Sequence, residues 1–127
     1  MKRDDIIYPE LSYKIVGILY DVYNEIGAGH REKYYQNAIS QAFKNNNIEF
    51  KEQVYFPLKY KEKIVGKCFF DFLIDNKMVL EIKKGSIFPK QNIDQLYEYL
   101  RLSKLKLGII ANFTRNGVYT KRIVNIR

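Results

Sequence analysis

The sequence predicts an α/β fold in which helices flank a mixed central β-sheet of about five strands, with the elements in the order ααβββαββ. Apolar residues recur at helical spacing up to about residue 46, and from Ile48 they alternate with polar residues as in strands. A further helical pattern separates two later strand-like segments. Because a helix that connects two strands of one sheet is a crossover, the sheet should contain parallel as well as antiparallel neighbours.

Length and composition set the class of protein. The 127 residues, 46% of them hydrophobic, suit one globular domain spanning 1–127. The net charge of +8 favours a polyanionic partner, either nucleic acid or an anionic membrane surface. The lone Cys68 cannot form an internal disulfide, and no apolar run reaches the roughly 20 residues of a membrane span. We therefore expect a cytoplasmic protein without membrane association, in which Cys68 is a small core residue.

Two helices are predicted first. The segment 11–26 has apolar residues at helical spacing, with Pro9 before it, Ser12 available as a cap, and Gly27 and Gly29 after it. A second helix should run from about 31 to 46, where the Asn-rich segment 45–47 breaks the pattern. Its buried stripe should consist of Tyr34, Tyr35, Ala38, Ala42 and Phe43.

The next segment should be an antiparallel meander of three strands. The first begins near Ile48 and ends at a turn over 61–63, and Pro57 favours an edge position for it. The second covers about 64–74, and a turn at Asp75-Asn76 leads into the third, over about 78–83.

The remaining elements are a helix and two strands. Apolar residues from Ile93 to Leu100 mark a third helix that ends near 101–104. The dense apolar run 105–111 suits an interior strand. After a loop over 112–117, a last strand should cover about 118–126.

Acidic residues in the second and third strands form a candidate site. If the turn centres on Asn76, Asp71 lies directly across from Glu81, with Lys83 farther along the same face. The opposite face would carry Phe70, Phe72, Leu80 and Ile82. Because opposed carboxylates destabilise a sheet, the pair indicates either a hard divalent cation, Mg²⁺ or Mn²⁺, between them or a solvated face of mixed charge. Lys83 would stabilise a metal-bound hydroxide or the charge that builds on a phosphate.

These features resemble the PD-(D/E)XK nuclease superfamily, whose core is an αβββαβ unit with an acid on the second core strand and Glu-x-Lys on the third. The segment Gly29-His30-Arg31-Glu32-Lys33-Tyr34-Tyr35 matches the signature of the small GxxExxY proteins of that superfamily. Leu80-Glu81-Ile82-Lys83 and Asn112-Phe113 agree as well, and the resemblance covers nearly the whole chain.

The resemblance implies roles for the first group of residues. Asp71 and Glu81 would bind the metal, with the backbone carbonyl of Ile82 as a third ligand. Lys83 would stabilise the attacking water. Glu32 would reach the same metal or orient its water, although an acid in the first turn of a helix also stabilises the helix dipole.

A second group would support the site. Tyr35, one turn after Glu32, would support that helix or the site itself. Gln95 and Tyr99 match a Q-x-x-x-Y pattern of RecB-like members and share a helix face. They would hold a ligand water or a substrate phosphate. No chemical role is expected for His30, which suits a surface or capping position.

The expected function is that of a metal-dependent nuclease, a hydrolase that cleaves phosphodiester bonds of nucleic acid, with DNA as the expected substrate, by metal-activated water. Nothing in the residues separates DNA from RNA. The alternative is a non-catalytic protein on the same fold that binds nucleic acid or a protein partner. A chain this small would need a homodimer or a protein partner to build a groove.

Overall fold

The computed structural model describes residues 7–125 and contains the predicted element order ααβββαββ. The helices begin and end close to the predicted positions. The last strand ends at Val124, and residue 126, where we expected its end, lies outside the described residues. The elements are α1 (Pro9–Ile26), α2 (Glu32–Asn45), β1 (Phe50–Tyr60), β2 (Lys63–Ile74), β3 (Met78–Lys84), α3 (Lys90–Ser103), β4 (Leu107–Thr114) and β5 (Gly117–Val124).

The five strands form one mixed sheet in the order β1-β2-β3-β4-β5. Neighbouring strands are antiparallel except β3 and β4, which are parallel because α3 connects them as a crossover. β1 is an edge strand, as Pro57 predicts, and β4 lies in the interior of the sheet. The predicted loop over 112–117 was too long, because β4 continues to Thr114 and only Arg115 and Asn116 form the turn.

The sheet has a hydrophobic core on each face. α1 and α2 pack on one face, where Ile15, Leu19 and Phe43 meet side chains of β2 to β5. α3 packs on the other face through Leu96 and Leu100. Within residues 7–125, no helix is long and apolar enough to cross a membrane. The sheet thus lies between two helical layers.

Two predictions about the helices were wrong. Ser12 does not cap α1: the helix begins at Pro9, so Ser12 lies inside it and its hydroxyl accepts a hydrogen bond from Arg122. Tyr34 is exposed, and the buried stripe of α2 runs through Tyr35, Ile39 and Phe43. The period of 3.6 residues favours that stripe over one that contains two adjacent tyrosines.

Candidate active site

Asp71 and Glu81 face each other where regular pairing between β2 and β3 stops. The register centres on residue 76, as predicted, since Phe72 pairs with Leu80. At the next position, side-chain oxygens accept the backbone N–H groups that would otherwise pair with backbone carbonyls of the neighbouring strand. The Asp71 N–H donates to Oε1 of Glu81 at 3.0 Å, and the Ile82 N–H donates to Oδ2 of Asp71 at 2.7 Å. The two carboxylates are therefore held by reciprocal hydrogen bonds between the strands.

The regular alternation of β2 also breaks at Asp71. Phe72 packs in the α1–α2 core, whereas Phe70 packs in the α3 core, so the expectation that they share a face was wrong. On the neighbouring strand, Gln53 stands opposite Asp71 with φ of 54°, and neither residue belongs to the strand register. A left-handed residue in a strand reorients the chain, which explains why the two phenylalanines lie on opposite faces.

The carboxylate pair is buried, and this burial disfavours its charged forms. Asp71 is 8% exposed and Glu81 is 9% exposed. Burial, followed by repulsion from Asp71, raises the pKa of Glu81 to about 8. Burial also raises the pKa of Asp71, while the hydrogen bond from the Ile82 N–H opposes this increase. Such a pair can bind a proton or a cation near neutral pH.

Lys83 supplies the positive charge nearest to this pair. Its Nζ lies 3.4 Å from Oε2 of Glu81, on the part-exposed side of β3. The lysine lowers the pKa of both Glu81 and Asp71, but this attraction is smaller than the effect of burial. Lys83 is therefore placed to meet an anion that approaches the carboxylates from solvent.

Glu32 approaches the site from the other helical layer. It is the first residue of α2, and its Oε2 accepts the backbone N–H of Lys84 at 3.1 Å. This bond ties the start of α2 to the end of β3, and the charge of Glu32 adds to the increase in the pKa of Asp71 after the larger effect of burial. Within residues 7–125, no three side chains of the His, Cys, Asp and Glu types are grouped as a metal site. Glu32 thus lies beside the carboxylate pair rather than within it.

Tyr35 and His30 hold the connection between α1 and α2. The buried Tyr35 hydroxyl donates to the Gly27 carbonyl at 2.7 Å, and its ring lies against Phe113, with centroids 4.2 Å apart. Nε2 of His30 donates to the Ile26 carbonyl at 2.6 Å, so the expected capping role of His30 is confirmed. Tyr35 supports the loop that precedes Glu32.

Gln95 and Tyr99 lie on α3, on the side that faces β2. Oε1 of Gln95 accepts a weak hydrogen bond from Sγ of Cys68 at 3.7 Å. Burial raises the pKa of the Cys68 thiol, and the charge of Glu81 raises it further, so this pair lies within the electrostatic reach of the carboxylates. The Tyr99 ring packs against Phe70 with centroids 5.0 Å apart, and its pKa is raised by burial. Gln95 and Tyr99 therefore contact residues of β2 that shortly precede Asp71.

Asn112 is a site-shaping residue to which the sequence assigned no role. It pairs with Lys83 in the parallel register, it is buried, and its Nδ2 donates to the carbonyls of Gly85 and Ile87. These bonds fix the loop that follows Lys84. The available signal was one amide within the otherwise apolar run of β4.

A cleft of about 900 Å³ opens beside this loop. It adjoins the carboxylate site at Lys84 but contains neither Asp71 nor Glu81. Its walls are Ala28, Gly29, Lys84, Gly85, Ser86, Phe88, Phe113, Thr114, Arg115, Asn116 and Tyr119.

Comparisons with known proteins agree with the fold. A family model described as the PD-(D/E)XK nuclease superfamily matches residues 9–123. Among solved structures, the crystal structure of SSO0001 is similar, with a TM-score of 0.56 and 20% sequence identity over 95% of this chain. The chain spans 59% of the length of that structure, and the likeness at this identity concerns the fold alone. No curated protein matches the sequence.

Proposed function

Because the chain belongs to the PD-(D/E)XK nuclease superfamily, we propose that it is a metal-dependent nuclease that hydrolyses phosphodiester bonds of DNA. One observation carries this proposal. Asp71 and Glu81 are buried face to face and locked by backbone N–H groups, with Lys83 beside them. A protein gains no stability from two such carboxylates alone, since their burial costs free energy that a surface pair avoids. The arrangement makes sense as a binding site for a cation.

The donor set suits Mg²⁺ or Mn²⁺. Both cations prefer oxygen ligands and typically take one or two carboxylates, with water and phosphate oxygens in the other positions. The Asp71 and Glu81 carboxylates and the Ile82 carbonyl would hold the ion. When bound, it would lower the pKa of water and offset the charge of the phosphate. Glu32, held by the Lys84 N–H, would orient a water molecule at the edge of this set.

Lys83 would act on the reacting groups. Its ammonium lies 3.4 Å from Glu81 and reaches solvent, so it can hold the attacking water or a phosphate oxygen close to the carboxylates. A fixed positive charge at this position stabilises the negative charge that increases in the transition state. Gln95, on the adjacent helix, would hold a water or a phosphate oxygen, while Tyr99 would pack the wall behind it.

Within the superfamily, we assign the chain to the GxxExxY group from the spacing of Gly29, Glu32 and Tyr35. Each of these residues has a structural task that supports the assignment. Gly29 has φ of 87°, a left-handed conformation that glycine adopts without strain. Tyr35 binds the carbonyl of Gly27, and Glu32 binds the N–H of Lys84. The signature therefore connects the α1–α2 loop to the end of β3.

Cleavage of fluorescein-labelled DNA, single-stranded and duplex, tests the proposal. The native protein should cleave in Mg²⁺ or Mn²⁺ and not in EDTA. Asp71→Asn, Glu81→Gln and Lys83→Met should each reduce the rate by about 100-fold or more, because each removes a group that binds the ion or stabilises the transition state. Lys77→Met, an exposed substitution on the turn before β3, is the matched control and should retain the native rate.

Two outcomes would contradict this function. Equal cleavage by the native protein and the three site variants would indicate a contaminating nuclease. Metal-independent binding of DNA without cleavage in any metal would favour the non-catalytic nucleic-acid-binding protein instead.

A further inference from the structure

β1 and β2 continue past the five-stranded sheet as a two-stranded ribbon. β2 pairs with β3 only from Phe72 to Ile74, so the earlier part of β2 pairs with β1 alone. We define the ribbon as residues 54–70. It begins next to Asp71 and reaches the turn at Lys61-Glu62, and at about 3.3 Å per residue its length is about 25 Å. The ribbon therefore extends outward from the candidate active site.

The two faces of the ribbon differ in burial. The inner face packs against α3 through Val54, Phe56, Leu58, Cys68 and Phe70. The outer face carries Tyr55 and Phe69, which pair across the strands with ring centroids 5.5 Å apart. Their side chains remain 45% and 47% exposed. An aromatic pair that is about half exposed on a ribbon offers apolar surface to a partner.

The charge of the ribbon selects the kind of partner. Between residues 54 and 70 there are four lysines and one acidic residue, Glu62, which lies in the turn. By strand alternation, Lys67 shares the outer face with Phe69. A surface that combines lysines with exposed aromatic rings is complementary to phosphates joined to stackable bases.

We propose that the outer face of the ribbon binds an unpaired nucleic-acid strand. This inference rests on the proposed nuclease function and specifies its substrate class. Bases of the strand stack on Tyr55 and Phe69, and its phosphates meet Lys67. An intact duplex fits poorly because its bases are already stacked and do not expose their faces to side chains.

Binding measured without cleavage tests this surface. The probe is a fluorescein-labelled single-stranded DNA of mixed sequence, followed by fluorescence anisotropy in EDTA over a range of salt concentrations. The variants Tyr55→Ser/Phe69→Ser and Lys67→Gln remove the rings and the charge separately. The matched control is Tyr13→Ser/Lys14→Gln on α1, where Tyr13 is the most exposed large hydrophobic residue within 7–125.

The ribbon variants should each weaken binding by about 5-fold to 10-fold, and the control should not. Loss of the rings should leave the salt dependence unchanged, since stacking releases no counterions. Loss of Lys67 should reduce the slope of log K against log salt by about 0.7, at about 0.7 per phosphate contact. A duplex of the same sequence should compete less well than the single strand. Circular dichroism melting curves confirm that the exposed substitutions leave the fold intact.

Several results would overturn the inference. These are native affinity in both ribbon variants, equal weakening in the control, better competition by duplex, or no binding by the native protein. A dimer that Tyr55→Ser/Phe69→Ser converts to a monomer without loss of DNA binding would identify the face as a contact between copies. Failure of the nuclease proposal is distinct: a protein that binds through the ribbon but never cleaves DNA retains the surface and loses the activity.

Discussion

Replacement of Glu81 by glutamine should stabilise the metal-free protein at alkaline pH. The amide oxygen of Glu81→Gln can still accept the Asp71 N–H, whereas the buried negative charge disappears. The pKa of Glu81 is raised from 4.5 to about 8, so between these values the folded protein holds a proton that the unfolded chain has lost. Stability from this group is complete below about pH 4.5 and is lost as the pH rises toward 8.

The size of the effect follows from this pKa difference. One pH unit corresponds to about 1.4 kcal/mol, so the native protein should lose about 3 kcal/mol from Glu81 between pH 5.5 and pH 8. In a domain of this size, about 3 kcal/mol corresponds to a change in Tm of about 10 °C. Because Glu81→Gln has no proton to lose, the excess of its Tm over the native Tm should be about 10 °C larger at pH 8 than at pH 5.5.

Thermal melting in EDTA at both pH values measures this difference directly. Glu25→Gln is the matched control, since Glu25 is exposed on α1 and its replacement should leave the pH dependence native. Addition of Mg²⁺ or Mn²⁺ at pH 8 should raise the Tm of the native protein, because the ion takes the place of the proton, and should not raise that of Glu81→Gln. Parallel pH dependence in native protein and variant, or equal stabilisation of both by metal, would refute the reasoning.

Two further predictions concern the frame of the site. A Cβ added at Gly108 would lie 2.9 Å from the buried Leu96 side chain, so Gly108→Ala should lower the free energy of unfolding by about 1–3 kcal/mol. Gly17 lies in α1 with open space around it, so Gly17→Ala should raise the free energy of unfolding by about 0.5–1 kcal/mol. Urea titrations measure both changes. Tyr35→Phe removes the 2.7 Å hydrogen bond to the α1–α2 connection and should lower the free energy of unfolding by about 1–2 kcal/mol. The same change at the exposed Tyr34 should leave the free energy of unfolding almost unchanged. Equal losses in the two variants would contradict the packing of Tyr35.

The sequence predicts the fold well because its patterns are local. The helical period identified α1 and α2, the alternation identified β1 to β3, and the Asp75-Asn76 turn centred the β2–β3 register correctly. Local sequence patterns do not predict a break in alternation that depends on residues of two neighbouring strands. The left-handed Gln53 opposite Asp71 has no sequence signal comparable to a glycine, so the reversal of faces at this point was not predicted.

The candidate site was predictable in part for a similar reason. The spacing of Asp71, Glu81 and Lys83 determines which of them meet across one turn, and the structure brings these three together. The position of Glu32 depends on how α2 packs on the sheet, which no spacing within one element determines. Asn112 forms hydrogen bonds to backbone carbonyls about 25 residues away, and only the tertiary structure can show such bonds.

The break at Asp71 connects the carboxylate site with the ribbon. In an unbroken strand, Phe69 would share a face with Leu73, which packs toward α3, and Phe70 would share one with Phe72 in the α1–α2 core. The reversal instead buries Phe70 against α3 and leaves Phe69 exposed. The same reversal directs the Asp71 N–H to Glu81. One irregular pair of residues therefore positions both the proposed catalytic acid and the aromatic surface that we infer binds an unpaired strand.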